Sequence, residues 1–124
     1  MSLLQRIEKL KILLIDDNQS ITKVISQYLT VQGHECTVSN DGKIGLAFIQ
    51  NTKFDVIILD LAMPGFTGFD VLDYLEENGL LKKLKIVILT AAELSEKDTE
   101  NLLKRGVNKV LKKPIPLNIL EESL

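Results

Sequence analysis

The stretch KILLIDDNQS, residues 11–20, decides the fold. Four apolar residues, 12–15, run together and then meet two acids, Asp16 and Asp17. An unbroken apolar run of this length reads as a strand buried on both faces, the kind that parallel sheets carry under covering helices. Two adjacent carboxylates at its end repel each other and are costly to desolvate. Either they sit in water as an ordinary turn or a cation belongs between them.

The same pattern recurs along the chain. DVIIL (55–59) and KIVIL (85–89) read as further buried strands, Glu35–Ser39 alternates as a short strand, and VNKVLK (107–112) reads as a fifth. Helical patterns fall between them. Ile21, Val24, Ile25, Tyr28 and Leu29 recur at helical spacing, with Gly33 as a stop. Asp41 and Gly42 lead into a helix carrying Ile44, Ala47 and Phe48. Met63-Pro64-Gly65 breaks the chain before a helix around Phe69, Leu72 and Leu75. Residues 94–105 form a polar helix closed by Gly106, and Pro116 opens a short last helix to Leu124. Five strand–helix pairs predict an α/β sandwich with helices on both faces of a parallel sheet. Right-handed crossovers make it doubly wound, and the flavodoxin-like order 2-1-3-4-5 suits five strands. Residues 11–124 are expected to be one domain, with residues 1–10 as an N-terminal extension.

Composition narrows the function. The 124 residues are 45% hydrophobic, enough for a single buried core. With 15 basic and 17 acidic residues there is no basic field to draw nucleic acid as a direct ligand. Cys36 is the only cysteine, so neither an internal disulfide nor a cysteine metal cluster can form, and a reducing, cytoplasmic setting is expected. No apolar run approaches the ~20 residues that cross a bilayer, so no membrane association is expected.

In an open parallel sheet, ligands bind beyond the carboxyl ends of the strands. Asp16 and Asp17 follow the first strand, Asp60 the third, Thr90 the fourth, and Lys112 and Lys113 the fifth. Singly, each has an ordinary reading: a turn or helix cap for the acids and the threonine, a solvated charge for a lysine. Jointly they bring carboxylates, a hydroxyl and an ammonium to one edge of the sheet. Clustered carboxylates call for a hard divalent cation, and Mg²⁺, which keeps several waters, needs few protein ligands. A cation, a spare carboxylate, a lysine and a hydroxyl suit phosphoryl transfer, with the carboxylate able to serve as nucleophile.

These residues resemble a known family. The pair Asp16-Asp17, the run from Asp60 through Leu61-Ala62-Met63-Pro64-Gly65 with Gly68, Thr90-Ala91, and Lys113-Pro114 together look like the receiver domain of two-component response regulators, over nearly the whole chain. The resemblance implies that Asp60 accepts a phosphoryl group from a phosphohistidine of a histidine kinase or histidine phosphotransfer protein. It implies Mg²⁺ held by Asp16, Asp17, Asp60 and the backbone carbonyl of Ala62, with Asp17 the more direct ligand. Thr90 would swing toward the phosphoryl group and Lys113 would pair with it, while strand alternation points Lys112 away. A cis bond before Pro114 follows from the resemblance. So does a surface near residues 90–124 that switches for a downstream protein target or a phosphorylation-dependent dimer. Such a protein catalyses only its own phosphorylation and dephosphorylation.

The chain also departs from that pattern. Val110 stands where receivers carry an aromatic switch, and a valine is stiff at χ1. Activation is therefore expected to work through the Thr90 loop and the helix at 94–105. Ala62 and Ala92, each two positions past a site residue, offer no side chain to shield a phosphoryl group or hold a water. The sequence runs to Leu124 without an output domain, as expected of a stand-alone receiver acting by protein contact or of a receiver cut from a longer regulator or hybrid kinase. Rival readings are weaker. An aspartate-nucleophile phosphatase wants a second acid at the position of Ala62. A flavin module wants a hydroxyl- and glycine-rich phosphate loop where Asp16-Asp17-Asn18-Gln19 stands. A scaffold that signals by protein contact without phosphorylation is the remaining alternative.

Overall fold

A computed structural model describes residues 9–124; of the expected extension at 1–10, only Lys9 and Leu10 fall within the described residues. The element order is β1 (Lys11–Ile15), α1 (Gln19–Val31), β2 (Glu35–Ser39), α2 (Gly42–Asn51), β3 (Val56–Leu59), α3 (Gly68–Glu77), β4 (Ile86–Thr90), α4 (Glu96–Arg105), β5 (Lys109–Lys112) and α5 (Leu117–Glu122). A 3-10 turn, Leu81–Lys83, which the sequence reading did not separate, precedes β4. All five strands pair in parallel in the order β2-β1-β3-β4-β5. The doubly wound flavodoxin-like sandwich is therefore what the chain forms.

Strand alternation builds two cores. Leu13, Ile15, Ile57, Leu59, Ile86 and Ile88 face one side, where α2, α3 and α4 supply Leu46, Leu72, Leu75 and Leu102. Ile12, Leu14, Val56, Ile58, Val87 and Leu89 face the other, against Ile25 and Leu29 of α1 and Leu120 of α5. The three central strands are thus buried on both faces, which is why their sequences show no polar alternation.

Helix caps set the entry angles. Asn18 accepts the Ile21 N–H at the start of α1, and Thr67–Asp70 and Ser95–Asp98 form capping boxes on α3 and α4. The α4 box starts the helix at Glu96, two residues later than the spacing predicts, and leaves Leu94 to pack against the core. The fifth strand begins only at Lys109, because Asn108 spends its side chain on the Ile86 N–H.

Two helices bury a different face from the one their apolar residues suggest. In α2, Ile44 and Ala47 are exposed and Phe48 is half-buried, while Gly42, Gly45 and Leu46 are buried. The glycines are what let α2 approach. A Cβ on Gly45 would stand 2.6 Å from Ile15 Cδ1 and 3.1 Å from its Cγ2. Both branches of a β-branched side chain block the space, so no single rotamer change clears it. Gly45→Ala gains about 1 kcal/mol of helix propensity but overpacks the contact at about 2 kcal/mol. A net loss near 1 kcal/mol in urea unfolding is expected; a net gain would show that β1 yields freely. In α3, Phe69 lies 40% exposed, while Val71, Leu72 and Leu75 carry the packing.

The short α5 is anchored by polar contacts as well as by Leu120. Buried His34 accepts the Leu10 N–H at Nδ1 (3.1 Å), which places its proton on Nε2, 2.7 Å from Glu121 Oε2. Tyr28 donates to the other oxygen of Glu121. Ile115 and Leu117 pack on the same core, whereas Ile119 is exposed. Among the described residues, no helix is long and apolar enough to cross a membrane.

Candidate acidic site

The register of the sheet assembles the site. Ile15 pairs with Leu59, and the Asp60 N–H donates to the Ile15 carbonyl, so the residues that follow β1 and β3 leave the sheet side by side. Thr90 pairs with Lys112, and the Lys113 N–H donates to the Thr90 carbonyl. Asp16, Asp17 and Asp60 each bring a carboxylate oxygen within 4.8 Å of the others. Asp16, Asp60 and Thr90 are buried, and Asp17 is exposed.

Lys113 is the counter-charge. Its Nζ lies 2.6 Å from Asp16 Oδ2 and 3.6 Å from Asp60 Oδ2. One ammonium is shared between two buried carboxylates while a third stands close by, so the pocket carries surplus negative charge. Burial, followed by the charge of Asp16, holds the Asp60 carboxyl above its ordinary value; the Thr90 hydroxyl, Lys113 and the Ala62 N–H pull partly the other way.

The donor set fits a hard divalent cation. Asp16 is already engaged at both oxygens, Oδ1 by the Asn18 N–H (2.9 Å) and Oδ2 by Lys113. Asp60 is held lightly, its Oδ1 taking the Ala62 N–H at 3.3 Å. Asp17 and Asp60 therefore have the oxygens to spare. At Ala62 the geometry displays the N–H; the role of its carbonyl rests on the resemblance.

Other expectations can be placed. Lys112 points away and pairs with Glu93 at 2.8 Å, and the Lys113–Pro114 bond is cis. Val110 packs against the core and, with Thr90, Ala92, Leu94, Thr99, Leu111 and Lys112, lines a cavity of about 140 Å³. The Thr90 hydroxyl accepts the Ala92 N–H at 3.2 Å. Gly68 is required because a Cβ there would collide with the Asp60 carbonyl oxygen and the Leu61 Cα. Those are backbone atoms, which cannot rotate away. The start of α3 thus presses on the peptide that carries Asp60 and fixes its direction.

Sequence reading missed two polar residues. Glu93 is one acid among many in the sequence, and its partner Lys112 sits nineteen positions on. Asn40 stands before Asp41-Gly42 and reads as a turn former, yet its amide donates to the Asp16 carbonyl (2.8 Å) and to Thr22 Oγ1 (3.1 Å). No local signal marks either contact.

Comparison with known proteins places this geometry in context. The response regulator receiver domain family matches residues 12–124. The chemotaxis protein CheY of Pseudomonas aeruginosa is 30% identical, with 93% of each chain covered. The sensor histidine kinase RcsC of Salmonella typhimurium is 27% identical over 94% of this chain, which spans only 12% of that kinase's length. Among solved structures, the response regulator TrrA of Thermotoga maritima, in complex with Mg²⁺-BeF, superposes with a TM-score of 0.76 at 26% identity, covering 93% of this chain and 95% of that one.

Proposed function

The chain belongs to the response regulator receiver domain family of two-component systems, and from that premise we propose that Asp60 takes a phosphoryl group from a phosphohistidine in a Mg²⁺-dependent reaction. One observation carries the reading: a single ammonium, Lys113, is shared between the buried carboxylates of Asp16 and Asp60, with Asp17 beside them. Such a pocket needs one more cation and has a carboxylate free to act.

The residues divide the work. An oxygen of Asp60 attacks phosphorus; the O–P bond forms as the N–P bond to the donor imidazole breaks, and the imidazole returns to the partner. Asp60 is rigidly aimed by β3 below it and Gly68 behind it. Lys113 moves its charge from the carboxylates toward the new phosphoryl oxygens. Mg²⁺, when bound by Asp17, Asp60 and Asp16, supplies charge neutralisation for the transferring group. The regulator TrrA, solved with Mg²⁺-BeF, supports a site of this kind on the same fold.

Switching runs through the Thr90 loop. The Thr90 hydroxyl now accepts from Ala92; turning it toward a phosphoryl oxygen frees that N–H and the loop leading to the Glu93–Lys112 pair and α4. Val110 adds no ring to this motion. The donor would be a histidine kinase or histidine phosphotransfer protein, a proposal supported by the matching segment in RcsC. The output would be a protein contact at the face built from residues 90–124. Turnover of external phosphate esters is not expected, because Ala62 provides no acid.

Incubation with acetyl phosphate and Mg²⁺ should give a single phosphoryl adduct by intact mass, absent when a chelator is present from the start. No adduct, or one indifferent to chelation, would refute the reading. The lifetime of the adduct should respond to the open rim: Ala62→Asn and Ala92→Glu each add one hydrogen bond, worth about 1 kcal/mol, and should change the dephosphorylation rate about fivefold. Unchanged rates would mean that neither position sees the phosphoryl group.

A further inference from the structure

We propose that Asn40 is a positioning residue for the cation site: its side-chain amide fixes the peptide plane between Asp16 and Asp17 and so aims the exposed Asp17 carboxylate. The proposal rests on the receiver reading of the site.

The role is not that of a turn former. The turn after β2 is held by others. Ser39 Oγ donates to the Asp41 carbonyl (2.7 Å), and Asp41 Oδ1 caps α2 by accepting the Ile44 N–H (2.9 Å). An asparagine serving its own turn would bond backbone one or two residues away. Asn40 instead crosses to the β1–α1 loop, reaching a carbonyl 24 residues earlier in the chain, and it ties that carbonyl to buried Thr22 on α1.

The geometry gives this contact its consequence. The Asp16 N–H is held by the Ser39 carbonyl, and the Asp16 side chain by Asn18 and Lys113. The peptide that follows is free to tilt except through its carbonyl, and Asn40 holds that carbonyl. A planar peptide moves as one body, so a fixed Asp16 carbonyl fixes the Asp17 nitrogen and Cα and leaves only rotation about the Asp17 N–Cα bond to swing its carboxylate. Asp17 is exposed and has no packing of its own to aim it. Neighbouring Asn18 cannot substitute, because its side chain is committed to capping α1. Asn40 brings no charge; it acts on the Asp17 ligand through the backbone.

The test is titration of the metal-free protein with Mg²⁺ alone by calorimetry, for wild type, Asn40→Ala and Asn40→Asp. Asn40→Asp keeps the size and removes both donors. Outer partners that orient metal ligands set affinity by about tenfold or more, so both variants should bind Mg²⁺ roughly tenfold more weakly. Their phosphorylation rate by acetyl phosphate at saturating Mg²⁺ should stay near wild type, because Asp60 and Lys113 are untouched. Without metal, amide exchange in residues 16–18 should quicken while β1 stays protected. Wild-type Mg²⁺ affinity in both variants, or a rate loss that saturating Mg²⁺ does not repair, would overturn the inference. If wild type binds Mg²⁺ but takes no phosphoryl group, the receiver reading fails while the Asn40 inference is still judged by affinity. If wild type binds no Mg²⁺, both fall.

Discussion

Asp60→Asn takes up no phosphoryl group from any donor, and in the absence of Mg²⁺ it is more stable than wild type. The first effect is complete because the amide is no nucleophile. The second follows from charge. Burial and then the Asp16 carboxylate hold the Asp60 carboxyl above its ordinary value. The folded state therefore binds this proton more tightly than the unfolded one. That contribution is fully present below the unfolded value and is lost as pH rises through the folded one. The wild type thus forfeits stability on the way to neutral pH, and the asparagine variant does not. Urea midpoints should diverge in favour of Asp60→Asn at neutral pH and converge in acid. Addition of Mg²⁺ should narrow the gap by stabilising wild type more. A variant less stable than wild type at neutral pH without metal would show that the pocket is not charge-strained.

Removing the opposite charge should have the opposite result. Lys113→Met keeps most of the stem and deletes the ammonium. Asp16 and Asp60 are then two buried carboxylates with no cation. Breaking a buried pair by removing one partner costs about 3 kcal/mol or more. A loss of that order is expected in metal-free buffer at neutral pH, shrinking as the pH falls and Asp60, held above its ordinary value, takes up a proton. Mg²⁺ should restore more stability to this variant than to wild type, since the cation meets a more negative pocket. The rate of phosphoryl uptake should remain low even then, because no ammonium follows the phosphoryl oxygens. A loss under 1 kcal/mol would place the Lys113 charge in solvent rather than between the carboxylates.

How much of this was readable in the chain differs by element. The central strands were legible because residues buried on both faces leave continuous apolar runs, as in residues 12–15 and 86–89. The site was legible because strand ends are where a parallel sheet must place its chemistry. Asp16, Asp60, Thr90 and Lys113 each sit one step beyond or at the end of a strand. The face of α2 was not legible. There the buried side is lined by glycines that carry no hydrophobic signal, and the apolar Ile44 is left outside. Phe69 misled for a different reason: its neighbours Val71 and Leu72 fill the space. Asn40 was invisible because its bond to the Asp16 carbonyl joins segments that only the parallel pairing of β1 and β2 brings together.

The central claim is that, of three neighbouring carboxylates, Asp60 is the acceptor and the acid pair is its cation site. Borohydride reduction of the acetyl-phosphate adduct, followed by peptide mapping, tests it most directly, because reduction converts a phosphorylated aspartate to homoserine. The account predicts homoserine at position 60 alone, formed only with Mg²⁺ present. Homoserine at position 16 or 17, or at position 60 regardless of Mg²⁺, would contradict it.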